Sequence, residues 1–446
     1  ILAQVAWLIL PARGPPRASR AAAADGMMGP RAAGGVWRHG LVLGLVGVSV
    51  GLPTTVLPAL QAAAFQQPYF VVGIATGLKG LLNTVLAPLV GALADRSGGH
   101  RRLLLASLAC LVAPYGVAVA LALQGGASSP AAVWGYTVAD ALLGVYAVAL
   151  SLCFAAVPSC LAGDERALTA GYSLCNFALS TGVGIGAVLG ALGDFTHCAM
   201  AGVVATLANC VLVLVLLPRG HNVPLEGQVT DHASRALARV ARLLCSNWAL
   251  SVIAAIVFLD FLAEQMLVSL LLLYLDTRFH VSRLQLGLQL MVVGVAASVS
   301  LLVVVPRLQP LLGDLKLMQV GLVANAISVA LFAFLSEAWQ AFLPPLGCLL
   351  SFAVFPTANA LAAAALPSAE GGTAQGVVSA ARTLAEGVSP VVFGWLLQLA
   401  AHSPMPGWPF LVAAACVAVA AAASVRLRAD AFGARAGGVR LLACAD

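Results

Sequence analysis

Apolar stretches long enough to cross a bilayer follow one another along almost the whole chain, and no other feature constrains its fold as strongly. Cutting at the polar clusters gives twelve spans, at about 39–61, 69–94, 103–123, 131–157, 168–192, 197–217, 247–274, 284–305, 316–336, 339–366, 375–400 and 408–426. About 20 apolar residues suffice for a membrane helix. Hydrocarbon admits only segments whose backbone groups are satisfied internally, so spans of this length are helical. The composition agrees: 61% of the residues are hydrophobic and 9% charged, whereas a water-soluble domain carries about a quarter charged residues. Soluble enzymes, nucleic-acid binders and disordered scaffolds are thereby excluded. The expected class is an all-α membrane protein with twelve transmembrane helices.

The one long polar break, near 218–246, divides the spans six and six. The expected organisation is a disordered or spurious N-terminal segment at 1–35, with Met27 or Met28 as the true start. A first half at 36–217, a linker at 218–246, a second half at 247–426 and a tail at 427–446 follow. Basic residues set the orientation, because Lys and Arg accumulate in cytoplasmic loops. If the N-terminus is cytoplasmic, nineteen of the 23 basic residues lie in cytoplasmic segments and two, Arg278 and Arg283, in outer loops; Lys79 and Arg382 lie within spans. Both termini are therefore expected inside, in a plasma membrane or endomembrane the sequence does not distinguish. Within the linker, Arg235, Arg239 and Arg242 occupy one helical face and Leu237, Val240 and Leu244 the other. That pattern fits an amphipathic helix on the lipid headgroups or an ordinary solvated one.

The most specific local sequence is Gly91-Ala-Leu-Ala-Asp95-Arg96-Ser-Gly98-Gly99-His100-Arg101-Arg102, after span 2. It resembles the major facilitator signature between the second and third helices, a cytoplasmic gate built from Gly91, Asp95, Arg96, Gly98 and Arg101. Gly99 stands where the family usually has a basic residue, which shifts part of the latch to Arg101. Further matches are Gly77-Leu-Lys79-Gly80-Leu-Leu82, Ala87-Pro-Leu-Val-Gly91, Phe355-Pro356, and Gln375-Gly-Val-Val378 leading to Arg382 and Pro390. Together these resemble the hippocampus-abundant-transcript-like branch, related to the tetracycline-resistance proteins, over about residues 37–426. The resemblance implies the major facilitator fold, two six-helix halves, and transport, but brings no substrate. It also implies that spans 1, 4, 7 and 10 line a central cavity and that 2, 5, 8 and 11 join the halves.

Six charged residues fall inside spans: Lys79, Asp140, Asp260, Glu264, Arg382 and Glu386. Each costs about 2.5–3.5 kcal/mol at a helix centre even on the milder scale, so a chain that keeps six is expected to use several. Asp260 and Glu264 share a helical face, where two carboxylates repel and a proton relieves the repulsion. Glu264 coincides with an acidic position of the resembled branch and Asp260 does not, so Glu264 is the expected coupling residue. Asp260 and Asp140 would join it in the cavity. The competing reading for Asp260 and Glu264 is a structural salt bridge to Lys79 or Arg382. Lys79, Arg382 and Glu386 are expected where the halves meet, with Arg382 and Glu386 four apart as an internal pair. Gly182, Gly186 and Gly190 offer a smooth face for close helix packing; no proline interrupts them, so antiport is not favoured over symport.

No phosphate loop, HExxH or metal spacing occurs, and the ten cysteines form no CxxC pair. An enzyme, a metal site and a cofactor are therefore not expected. The expectation is a proton-coupled secondary transporter of a small organic solute, working by alternating access as a monomer among membrane lipids, with no nucleic-acid partner. The alternative is a non-transporting sensor or adaptor on the same fold. Trp134, Tyr136, Tyr146 and Phe355 are the aromatic candidates for the cavity.

Overall fold

The computed structural model describes residues 30–97, 100–125, 129–144, 146–160, 165–217, 247–365 and 371–427. The leader before residue 30, the linker with its arginine face, Gly98 and the tail from 428 lie outside the described residues, as do the side chains of Asp95 and Arg96. Every regular element among the described residues is helical. Among the described residues, eight helical stretches are long and apolar enough to cross a membrane, and one of them, the 52-residue Arg283–Phe334, contains both spans 8 and 9. The shorter apolar helices Gly35–Gly51 and Trp408–Ser424 belong to spans 1 and 12, and Pro68–Ser97 is span 2. All twelve spans are thus helical.

Several spans are broken where residue chemistry requires it. Span 1 stops at Gly51, turns around Pro53 and resumes as Leu57–Ala64. Span 4 is split at Gly144 into Pro130–Leu143 and Tyr146–Cys160. Span 10, read as one continuous run from sequence, opens instead with the short 3-10 turns Ala338–Phe342 and Pro344–Gly347 before the helix Val354–Ala364. Two adjacent prolines, Pro344 and Pro345, remove two successive backbone donors, which disfavours a regular helix there. Spans 8 and 9 run together through Val305–Leu331, and the reversal between them turns on Gly313, whose φ of 75° only glycine adopts without strain.

Helix pairing repeats between the halves. Span 1 packs on 5 and 6, and span 3 on 6; correspondingly, span 7 packs on 11 and 12, and span 9 on 12. The halves meet along spans 2 and 11 and along 5 and 8, which exchange under the same correspondence. Because lipid tails are as apolar as leucine, helices in a membrane gain from close backbone approach rather than from hydrophobic burial. Span 1 against span 5 illustrates this. A Cβ on Gly182, Gly186 or Gly190 would lie 2.1, 2.2 or 1.9 Å from the carbonyl oxygens of Gly44, Val48 and Leu52, and one on Gly47 would lie 2.4 Å from that of Leu179. Buried polar side chains add specificity by aiming at span 1: Asn209 donates to Val42 O at 3.0 Å and Tyr115 to Ser49 O at 2.6 Å. Outward faces stay apolar, as with Val204, Val211 and Val215 of span 6, each more than half exposed.

Outside the hydrocarbon, Asp194 caps the helix Phe195–Leu216 by accepting from the His197 backbone N–H at 2.9 Å. That hydrogen bond, strengthened by the His197 ring at 2.8 Å, holds the Asp194 carboxyl below its usual range. The cap's contribution is therefore complete above the ordinary carboxylate pKa and is lost as pH falls through the lowered one.

Two stability outcomes follow. Gly186→Ala is expected to lower the thermal unfolding temperature of the purified protein, whereas Gly116→Ala, where a Cβ meets nothing within 4 Å, should leave it unchanged or raise it; equal behaviour would contradict the glycine contact. Asp194→Ala should cost about 1 kcal/mol at neutral pH, and denaturant titrations should find that difference shrinking in acid.

Candidate functional site

A cavity of about 220 Å³ lies between the halves, lined by spans 1, 2, 3, 4, 7 and 11. Its polar wall is built from Lys79, Asp140 and Glu386, with Tyr136, Tyr146, Asn83 and Gln265 beside them. Lys79 donates to both carboxylate oxygens of Asp140, at 2.9 and 2.8 Å, and its ammonium sits 5.0 Å from the Tyr146 ring centroid. Sequence reading grouped Lys79 with Glu386 and the span 7 carboxylates; its ion pair is instead made within its own half. The reason is Gly144, which sequence reading passed over. A Cβ there would lie 2.4 Å from Asp140 Oδ1 and 2.8 Å from Lys79 Cε, so only a glycine at the break in span 4 leaves room for the lysine stem beside Asp140.

In span 11, Arg382 Nε donates to Glu386 Oε1 at 2.9 Å, an i to i+4 pair. The guanidinium carbon of Arg382 also stands 5.0 Å from the Phe261 ring centroid and 5.2 Å from that of Phe355, and the two rings are edge to face at 5.3 Å. Phe355 thus seats a charge rather than lining the central cavity. Arg382 acts electrostatically on Glu264 as well as on Glu386.

Asp260 and Glu264 do not line the central cavity, contrary to the expectation from sequence. They line a second one of about 100 Å³ inside the C-terminal half, with Gln289 of span 8, Asn325 and Ser328 of span 9, and Cys348 and Ser351 of span 10. Helix azimuth explains the difference. Along span 7, residues 260, 264, 267 and 271 form one stripe facing the small cavity, while Gln265, Ser269 and Leu273 face the large one; Val268 and Leu272 border both. Asp260 is buried and accepts from Asn325 Nδ2 at 2.7 Å. Glu264 has no hydrogen bond and no ion pair among the described residues.

At the end of the bundle bearing the 280–282 turn, Tyr69 hydrogen-bonds Thr277 across the halves and Arg283 donates to Gly193 O at 3.3 Å. Phe65, Tyr69, Val72 and Val133 join the apolar core of the C-terminal half there. Trp134 packs on Phe65 at 4.4 Å rather than facing the cavity. Where spans 2 and 11 cross, Gly73, Gly77 and Gly80 face the backbone of Gly387, Pro390 and Gly394. In the gate motif, Gly91, Asp95 and Arg96 fall in the helix Pro68–Ser97. Arg101 donates to Leu214 O at 2.7 Å, placing a cation at the C-terminal end of span 6 where exposed carbonyls attract it.

Two pseudo-equivalent six-helix halves, glycine-faced where they meet and enclosing a polar cavity, define a multi-pass membrane carrier. The family model described as Major Facilitator Superfamily matches residues 39–390 and 253–437, and the chain belongs to that family. It is 27% identical over 390 residues to human Hippocampus abundant transcript-like protein 1, covering 83% of this chain and 74% of the relative. Against the class G tetracycline resistance protein of Vibrio anguillarum it is 26% identical over 379 residues, covering 84% and 93%. Among solved structures, a point mutant of the nucleoside transporter NupG superposes with a TM-score of 0.68 at 15% identity, covering 87% of this chain and 98% of that one, a likeness of fold.

The ion pair can be tested by stability. Removing one partner of a pair withdrawn from water leaves an uncompensated charge, whereas removing both does not. Lys79→Met is therefore expected to cost about 3 kcal/mol, and adding Asp140→Asn should restore much of it in thermal unfolding. Additive losses would mean that the two charges are solvated independently.

Proposed function

We propose that the protein is a secondary transporter that moves a small organic solute by alternating access, coupled to protons through Glu264 and Asp260. The observation that carries this reading is the charge inventory of the spans. Of the six embedded charges, Lys79 pairs with Asp140 and Arg382 with Glu386, which leaves Asp260 and Glu264 without an ion-pair contact, Arg382 reaching Glu264 only through its field. An unmatched carboxylate is unfavourable in a low-dielectric interior and is neutralised by whatever positive charge can reach it. A proton is the simplest such charge, and a group that gains and loses one as its access changes side is what gradient coupling requires. Glu264 is the better coupling group because it accepts no hydrogen bond among the described residues, whereas Asp260 is already held by Asn325.

The solute would occupy the central cavity, whose wall offers both charges of the Lys79–Asp140 pair, the phenols of Tyr136 and Tyr146, and the amides of Asn83 and Gln265. The buried Asn83 Oδ1 has no partner among the described residues, which leaves it available to a donor on the solute. Rocking of the halves would take place along the glycine-faced contact of spans 2 and 11. In this reading the single chain is the transporting unit, surrounded by lipid, and the excess of basic residues in alternate loops puts both termini on the cytoplasmic side.

The test is reconstitution in liposomes with an imposed pH gradient and a screen of solutes. Glu264→Gln is expected to abolish gradient-driven accumulation while leaving part of solute exchange. Accumulation that survives in that variant at the wild-type level would remove Glu264 from the mechanism.

A further inference from the structure

The small cavity in the C-terminal half is distinct from the central one in what it offers a ligand. Its polar groups present oxygens. The Asp260 carboxylate receives one hydrogen bond, from Asn325 at 2.7 Å, and the Glu264 carboxylate receives none among the described residues. Gln289, 1% exposed, turns its Nε2 away to donate to Ala341 O at 2.9 Å, and its Oε1 is buried without a partner among the described residues. The Ser328 hydroxyl donates to Pro344 O at 2.6 Å. One donor contact each of Asn325, Gln289 and Ser328 goes to a protein oxygen, while the Glu264 carboxylate and Gln289 Oε1 receive none among the described residues.

The rest of the lining is apolar, with Leu267, Leu271, Leu290, Val293, Phe332 and Phe352. A cavity of about 100 Å³ has room for roughly three waters, more than a bare ion enclosed by its ligands would leave free. Two carboxylates and an unpartnered amide oxygen favour a cationic donor, the hydrocarbon walls favour carbon around it, and aromatic faces favour a cation further. We propose that this cavity is a binding site for a small organic ammonium, its nitrogen held by Glu264, Asp260 and Gln289 Oε1. The site uses the same unmatched carboxylates as the transport reading, but it is a claim about binding and is tested by binding.

The experiment measures thermal stability and calorimetric binding of the purified full chain in detergent with n-propylammonium chloride, using 1-propanol as the uncharged isostere and NaCl as the alkali-ion arm. The expected result is a saturable rise in unfolding temperature with propylammonium alone. Gln289→Leu and Glu264→Gln should each raise the apparent Kd at least tenfold, and Gln289→Glu should lower it. Should one variant not fold, either of the other two or the cavity-filling Val293→Phe, which is expected to abolish binding, still locates the site.

Stabilisation by Na+ without propylammonium, equal effects of amine and alcohol, or an amine affinity unchanged in these variants would each overturn the proposal. The two readings fail separately. Absent amine binding together with loss of pH-driven accumulation in Glu264→Gln removes the ammonium site and leaves coupling intact. Retained amine binding with undiminished accumulation removes coupling and leaves the site.

Discussion

Charge neutrality in a low-dielectric slab is the constraint around which this molecule is organised. Among the six embedded charges four are acidic and two basic, so pairing can satisfy at most two of the carboxylates. The chain places its two cations where each meets an acid directly: Lys79 on Asp140, with Gly144 clearing the space, and Arg382 on Glu386, with Phe261 and Phe355 beneath the guanidinium. What remains is a pair of carboxyl groups without an ion-pair partner, Asp260 and Glu264, in one small cavity of the C-terminal half. A fold that kept such a pair for structural reasons alone would gain nothing from its desolvation cost. The pair is explicable if positive charge enters and leaves.

The second organising feature is the absence of side chains where helices cross. Between spans 1 and 5 the glycines allow carbonyl oxygens of one helix to approach the Cα atoms of the other, a contact that locks the pair together. Between spans 2 and 11 the same residue type joins the two halves. There Val391 seats against Gly77 and Leu81 against Gly387, while Gly73 and Gly80 meet backbone directly, so the two halves pack as closely as helices within one half. The end bearing Tyr69, Thr277 and Arg283 is tied by hydrogen bonds across the halves.

Much of the architecture was legible from hydropathy. The twelve spans and their order could be read residue by residue because a bilayer selects for local composition over about 20 positions, and the embedded charges stand out for the same reason. The i to i+4 spacing of Arg382 and Glu386 announced their proximity, since one helix suffices to bring them together. The interruptions of span 10 carry a local signal in Pro344 and Pro345, which the strength of the apolar pattern around them obscured. Gly144 was not singled out, because its role exists only when Lys79 arrives from another helix. Gln289 was equally silent: a glutamine in an apolar span gives no sign that its oxygen will lack a partner.

The amino-acid sequence by itself determined the membrane class, the helical spans, the division into halves and the set of residues whose burial is costly, all of which depend on composition along a single segment. Tertiary structure alone decided that Lys79 answers Asp140, that Asp260 and Glu264 open onto a cavity of their own, and that Phe355 supports Arg382. Those outcomes depend on how far each helix is rotated about its axis and on which neighbour it meets. A rotation of one residue, about 100°, moves a side chain from one cavity to the other, and hydropathy in a wholly apolar span carries too little asymmetry to fix that angle.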